Sequence, residues 1–238
     1  MIQPLILLEA YSMGIFPMAE SANGEIQWHL PKRRGIIPLD DRFTVPSNLR
    51  RKYNKKPFKL TINQAFPEVI NSCRELRIGE TWINQEIIES YIGLHRLGYA
   101  HSFEAWQDEE LVGGLYGIAF GKAFFGESMF HTVTDASKIA LVFLVEFLRE
   151  QQFELLDTQY LNPHLLQFGA RQAELGGVHR VGGVDPAAIE NPLAPVEHLT
   201  PEPRGHRHLR HVPVAVDIGV EHLDPTASDV ASLAASLS

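Results

Sequence analysis

The rhythm of apolar and polar positions changes twice along the chain. From Met1 to about Pro57, short apolar runs alternate with breakers: GIFPM, ANGEIQWHLPKRRG, IIPLDD and TVPSN. This pattern predicts a small, mostly β or irregular domain over residues 1–57. Beyond it the signals become regular. PFKLTINQAF reads as a short strand entering a helix, with Asn63 as its N-cap and Pro67 in the first turn, where a missing N–H costs little. In INQEIIESYIGLHRLG, residues Ile87, Ile88, Tyr91, Leu94 and Leu97 fall on one stripe, and Gly98 suits the position just past a helix end. AHSFEAWQDEELVGGLYGIAFGKAFFGESMF alternates as paired strands with QDEE at the turn. Asp135 then caps a long apolar helix, FELLDTQ reads as a buried strand, and NPHLLQFG opens a further helix at Asn162. Residues 58–175 thus predict helices around a mixed sheet, an α/β or α+β layout.

From Ala170 onward the pattern fades. The remaining chain has no Lys, Met, Cys, Phe, Tyr or Trp, while six histidines accumulate there, among them His206, His208 and His211. Such a composition buries little apolar area, so 176–238 reads as a poorly ordered tail. Its histidines lack the spacing of a dedicated metal site, and no metal is expected.

The whole-chain properties narrow the function classes. The N-terminus has a short apolar run without a basic lead, unlike a signal peptide, and no stretch is long enough to span a bilayer. A cytoplasmic monomer without a membrane partner is expected. Cys73 stands alone, so neither an internal disulfide nor a thiolate cluster can form within one chain. The net charge is −8, yet ten of the 21 Lys and Arg residues crowd between Lys32 and Lys59, including Arg33, Arg34, Arg42, Arg50, Arg51, Lys52, Lys55 and Lys56. That stripe is either solvated surface or a track for a phosphate backbone.

Three constellations could carry chemistry. Glu127 in FGESMF follows an apolar run at the end of a predicted interior strand, where a carboxylate needs a partner or a substrate. Asp157 and Gln159 in LLDTQ stand two apart on a predicted strand, facing one way at an end where open sheets often bind ligands. Trp28 and Trp82 lie at segment boundaries and could stack on bases or anchor the core. No G-x-S-x-G elbow, P-loop or HExxH motif occurs, and Cys73 sits in a predicted helix as an inert thiol.

Taken in order, AYSMGIFPM, RGIIPLD, ETWIN, HSFEAW, ELVGGLYGIAFGKAFFGESMFH, DASKIAL and ELLDTQ resemble the bacterial leucyl/phenylalanyl-tRNA–protein transferases over about Ala10 to Ala170. The resemblance implies an acetyltransferase-like catalytic domain beside a small N-terminal one. It implies transfer of Leu or Phe, less well Met, from Leu-tRNA or Phe-tRNA to the N-terminal Arg or Lys of proteins, marking them for N-degron degradation. Glu127, Asp157 and Gln159 would line the site, with Asp157 holding or orienting the acceptor. Leu115, Met129, Leu141 and Leu156 would form the donor side-chain pocket, and Trp28 and Trp82 would belong to the substrate-binding region. Arg50, Arg51, Lys55 and Lys56 would contact tRNA. The donor ester is already activated, so no cofactor is expected.

Two features depart from the family pattern. Met18 stands where the family often has Trp, and after FGA the chain runs RQAELGGVHRVGG in place of an Ile-Pro-Arg-like segment. A shifted reading frame or a lineage-specific tail would each produce that ending. An N-acetyltransferase would need a glycine-rich pyrophosphate loop where this chain has ESMFHTVTDAS. A non-catalytic binder of tRNA or of N-terminal degrons is the other alternative.

Overall fold

The computed structural model describes residues 1–77 and 81–174. The expected tail over 176–238, with its histidine run, lies outside the described residues.

The core is a seven-stranded mixed sheet in the order β4-β5-β6-β7-β8-β3-β9. Its strands are β3 (Arg33–Ile37), β4 (Lys59–Ile62), β5 (Ala100–Gln107), β6 (Glu110–Phe120), β7 (Ala123–His131), β8 (Leu155–Asp157) and β9 (Arg171–Glu174). Only β7 and β8 run parallel, joined across one face by α5 (Ala136–Glu150). The separate pair β1 (Phe16–Ala19) and β2 (Ile26–His29) forms an antiparallel ribbon.

Strand alternation divides the core into two layers. Phe103, Leu115, Phe124 and Leu156 face α5 and α2 (Ser47–Asn54). Tyr116, Ile118, Phe125 and Leu155 face α1 (Pro4–Ser12), α3 (Phe66–Glu75) and α4 (Gln85–Arg96). The doublets Phe124-Phe125 and Leu155-Leu156 therefore supply both layers, as interior strands require.

Several local expectations hold. Pro67 lies in the first turn of α3. Gly98, just past the end of α4, has φ 83°; the Asn84 side chain, which accepts from the Ile87 N–H at the start of that helix, is not among the expected caps. Asp108 and Glu109 form the β5–β6 turn with φ of 49° and 66°, the left-handed pair that suits a two-residue hairpin.

Other expectations change. The opening stretch is largely strand and irregular chain as expected, but it also holds two helices, α1 and α2. Leu7, Leu8, Ala10 and Tyr11 of α1 are buried on one face, but Leu5 is exposed and Ile6 only half-buried, so apolar residues surround the helix and leave no amphipathic stripe to read. β3, which precedes the expected boundary near residue 57, lies inside the large sheet between β8 and β9. Asn63 does not cap α3: with φ 60°, its Oδ1 accepts from the Ser102 N–H. Asp135 occupies the N-cap position of α5 without a capping bond and pairs instead with Lys52 and Lys138. Leu97 is exposed, off the end of its stripe.

Candidate active site

The parallel pairing of β7 and β8 covers only Ala123–Phe125 against Leu155–Asp157. Beyond Phe125, β7 continues along β6 to His131, while the other chain leaves the sheet after Asp157 into Thr158–Asn162. The two segments part, and the gap is a cleft of about 780 Å³ lined by residues from both.

Glu127 enters this cleft through a β-bulge. Gly117 pairs with Gly126 and Tyr116 with Ser128, so Glu127 has no partner on β6. The extra residue resets the alternation: Phe124 and Met129 both reach the α5 layer, and Phe125 and Phe130 both reach the opposite layer. A Cβ on Gly117 would collide with the Phe125 carbonyl oxygen, so the close approach at the bulge requires glycine. Glu127 thus lies at an interruption within a continuing strand rather than at a strand end.

The Glu127 carboxylate lies deep in the cleft yet accessible from it. Its Oε1 accepts from the Tyr11 hydroxyl at 2.6 Å and from Gln159 Nε2 at 2.7 Å. Its Oε2 accepts weakly from the Tyr91 hydroxyl at 3.3 Å, and the two tyrosine hydroxyls bond each other. No cation pairs with it directly among the described residues. Removal from water raises its pKa to about 7, against the opposing effects of the Tyr11 hydrogen bond and the Arg34 charge.

Asp157 plays a different part from the one its sequence position suggested. Its oxygens accept from Arg34 Nε at 3.0 Å and Nη2 at 2.6 Å, and Oδ1 also accepts from the Gln159 N–H at 2.8 Å. Both side chains are fully buried. Arg34 also donates to the Gly14 carbonyl and lies over the Phe16 ring at 4.7 Å. Burial pushes the Asp157 carboxyl up while the guanidinium beside it pulls it back. With three donors converging on it, Asp157 is an internal anchor without a free oxygen for a substrate cation. It is not among the residues lining the cleft.

Nor do Asp157 and Gln159 share a strand face. β8 ends at Asp157, and Gln159 has φ 54°. The backbone is held there by Gly35, whose N–H donates to the Gln159 carbonyl and whose carbonyl accepts from the Thr158 N–H, both at 2.8 Å. This turn swings the Gln159 amide toward Glu127. Because a carboxylate only accepts, Nε2 faces Glu127 and the amide oxygen is left to accept from a ligand.

The apolar wall gathers Leu115, Met129, Leu141 and Leu156 from β6, β7, α5 and β8 around the same cleft. Trp82 lines it as well, together with Met18 and Tyr160. Trp28 does not. It lies on β2 opposite Pro17, half-buried against the α1–α3–α4 layer. Met18, one residue further along the ribbon, faces the cleft in its stead.

The basic stripe divides. Arg34 is buried, Arg42 pairs with Asp40, and Arg50 pairs with Glu146 at 3.2 Å. Arg51, Lys55 and Lys56 are exposed on or just after α2. Reading the sequence alone missed Arg34 as the partner of Asp157, because a basic run gives no sign of which member turns inward. It also placed Tyr91 in the core stripe, correctly for its ring but not for its hydroxyl, which reaches Glu127. Burial pushes the Cys73 thiol up to about 12, so it is inert as expected.

A family model described as "Leucyl/phenylalanyl-tRNA protein transferase" matches residues 36–176, and one for the N-terminal domain of the same family matches residues 1–32. Curated proteins named leucyl/phenylalanyl-tRNA–protein transferase are similar over most of their length. The one from Akkermansia muciniphila is 56% identical over 167 residues, 70% of this chain and 86% of its own. That from Nitrobacter winogradskyi is 54% identical over 172 residues, 71% of this chain and 76% of its own. That from Herpetosiphon aurantiacus is 52% identical over 169 residues, 71% and 86% respectively. Among solved structures, L-PGS from Bacillus licheniformis aligns at 13% identity with a TM-score of 0.38, over 64% of this chain and 56% of that one.

Proposed function

The chain belongs to the leucyl/phenylalanyl-tRNA–protein transferase family, and from that premise we propose how its cleft carries out the transfer. An aminoacyl-tRNA is the donor and a protein the acceptor. The donor amino acid is Leu or Phe, less well Met. Its side chain enters the wall of Leu115, Met129, Leu141 and Leu156, where size and apolarity favour it but similar side chains are separated only modestly.

The acceptor's N-terminal Arg or Lys points its side-chain cation at Glu127. This reading rests on one observation: Glu127 is the carboxylate that faces the cleft, while Asp157 is saturated by Arg34 and the Gln159 N–H. A bound cation draws Glu127 into its ionised form and completes a site that Tyr11, Tyr91 and Gln159 already orient.

The reaction joins the acceptor α-nitrogen to the donor carbonyl carbon and breaks that carbon's bond to the terminal ribose oxygen. The α-amine must attack unprotonated. The Gln159 amide oxygen accepts a hydrogen bond from it, and the proton lost from nitrogen passes to the departing ribose oxygen, directly or through water. Gln159 is too weak a base to take the proton itself. Its contribution is orientation, fixed by Glu127 at the side chain and by Asp157 and Gly35 at the backbone. Acceptors tagged in this way enter the N-degron route.

Incubation with Leu-tRNA and a peptide beginning with Arg tests the reading. A mass gain of one leucyl residue on the peptide α-amine is expected. An unmodified Arg peptide in the presence of intact Leu-tRNA would overturn it.

A further inference from the structure

The far end of the cleft carries chemistry that the transfer has not used. β7 ends at His131 and the short 3₁₀ helix Pro163–Phe168 contributes His164, and both line the cleft beside Asn162. His131 Nδ1 lies 3.2 Å from the Ser137 hydroxyl in the first turn of α5. Lys138 follows Ser137. His131 and His164 line the same cleft, and the Ser137 contact sets His131 beside the turn of α5 that carries Lys138.

This neighbourhood also joins the basic helix. Lys52 of α2 donates to the Thr134 carbonyl at 2.7 Å and to Asp135 Oδ2 at 3.1 Å, and Lys138 bonds the other Asp135 oxygen at 3.2 Å. Two lysines thus share one carboxylate, leaving an excess of positive charge between α2 and the start of α5. Arg51, Lys55 and Lys56 extend that charge outward along α2.

We infer that His131, His164 and Lys138 form a phosphate subsite for the 5′-phosphate of the donor's terminal nucleotide, the last station of a basic track running from α2 to the cleft. This rests on the transferase reading. In any aminoacyl-tRNA the ester sits on the terminal ribose, which also bears that phosphate, so a site holding the ester must accommodate a dianionic or diester group a few bonds away. The histidines supply ring N–H donors at the cleft wall, and Lys138 supplies the point charge behind them.

The experiment compares two minimal donors on the full chain: 3′-O-leucyl-adenosine and the same ester carrying a 5′-phosphate. The ratio of their kcat/KM values measures what the phosphate contributes. In the wild-type protein the phosphorylated donor is favoured. In Lys138→Gln, and in the double variant His131→Ala with His164→Ala, the ratio falls about tenfold, and Lys138→Arg restores it. With whole Leu-tRNA, Lys138→Gln lowers the salt slope of binding by about one. An unchanged ratio in both variants overturns the subsite, as does a wild-type protein indifferent to the phosphate. Because the ratio is internal to each variant, partial loss of folded protein does not obscure it. A wild-type protein that transfers from neither minimal donor nor Leu-tRNA refutes the transferase reading itself, a separate outcome.

Discussion

Asp157→Asn is expected to act first on the fold and only through it on the chemistry. Asp157 and Arg34 are both fully buried, and the two bonds between them measure 2.6 and 3.0 Å. Neutralising Asp157 leaves the guanidinium in the interior without a counter-charge, held by one amide oxygen, the Gly14 carbonyl and the Phe16 ring, and turns an NH2 toward one of its N–H groups. Breaking one side of a buried pair costs about 3–5 kcal/mol, a large part of the roughly 5–15 kcal/mol that holds a domain folded. At about 2–4 °C per kcal/mol for a domain of this size, the melting temperature should fall by roughly 6–20 °C. Replacing both partners removes the stranded charge, so Arg34→Met with Asp157→Leu should recover at least half of the loss. The double variant should nonetheless transfer poorly, because the Gln159 N–H has lost the carboxylate that positions it. Thermal unfolding by circular dichroism, with leucyl transfer on each purified variant, gives both readouts. A melting temperature within about 2 °C of wild type in Asp157→Asn would refute the anchor role, as would a double variant no more stable than the single.

Three further outcomes follow from the cleft. Glu127→Gln should raise KM for an Arg-initiated peptide by roughly 10–100-fold, the cost of losing a charged hydrogen bond, with little change in donor KM; equal losses for donor and acceptor would place Glu127 elsewhere. Because burial raises Glu127 to about 7, it is protonated below that pH and anionic above it, so acceptor KM should fall as pH rises through 7; a Glu127→Gln variant with the same pH profile would exclude this cause. Leu141→Phe narrows the apolar wall and should disfavour Phe-tRNA relative to Leu-tRNA by about 1–3 kcal/mol in competition assays; an unchanged ratio would remove Leu141 from the donor pocket.

The linear sequence determined much of this protein. Alternation in β5, β6 and β7, the apolar doublets of interior strands, the stripe of α4 and the turn at QDEE are consequences of local periodicity, which sequence carries directly. The ordered motifs were enough to identify the family and to name Glu127, Gln159 and the four apolar wall residues, all of which line one cleft. Other features depended on long-range packing. Whether Arg34 is a surface cation or the partner of Asp157 depends on β3 lying beside β8, a pairing across more than a hundred residues. Whether Met18 or Trp28 faces the cleft depends on how the β1–β2 ribbon docks, where the Ala19 N–H donates to the Trp82 carbonyl. The bulge at Glu127 appears only in the register of β7 against β6, for a lone extra residue leaves the apolar pattern on each side intact. Periodicity tells which side of an element is apolar. It does not tell which polar groups from distant elements will meet, because that depends on the register and direction of strands that share no local signal.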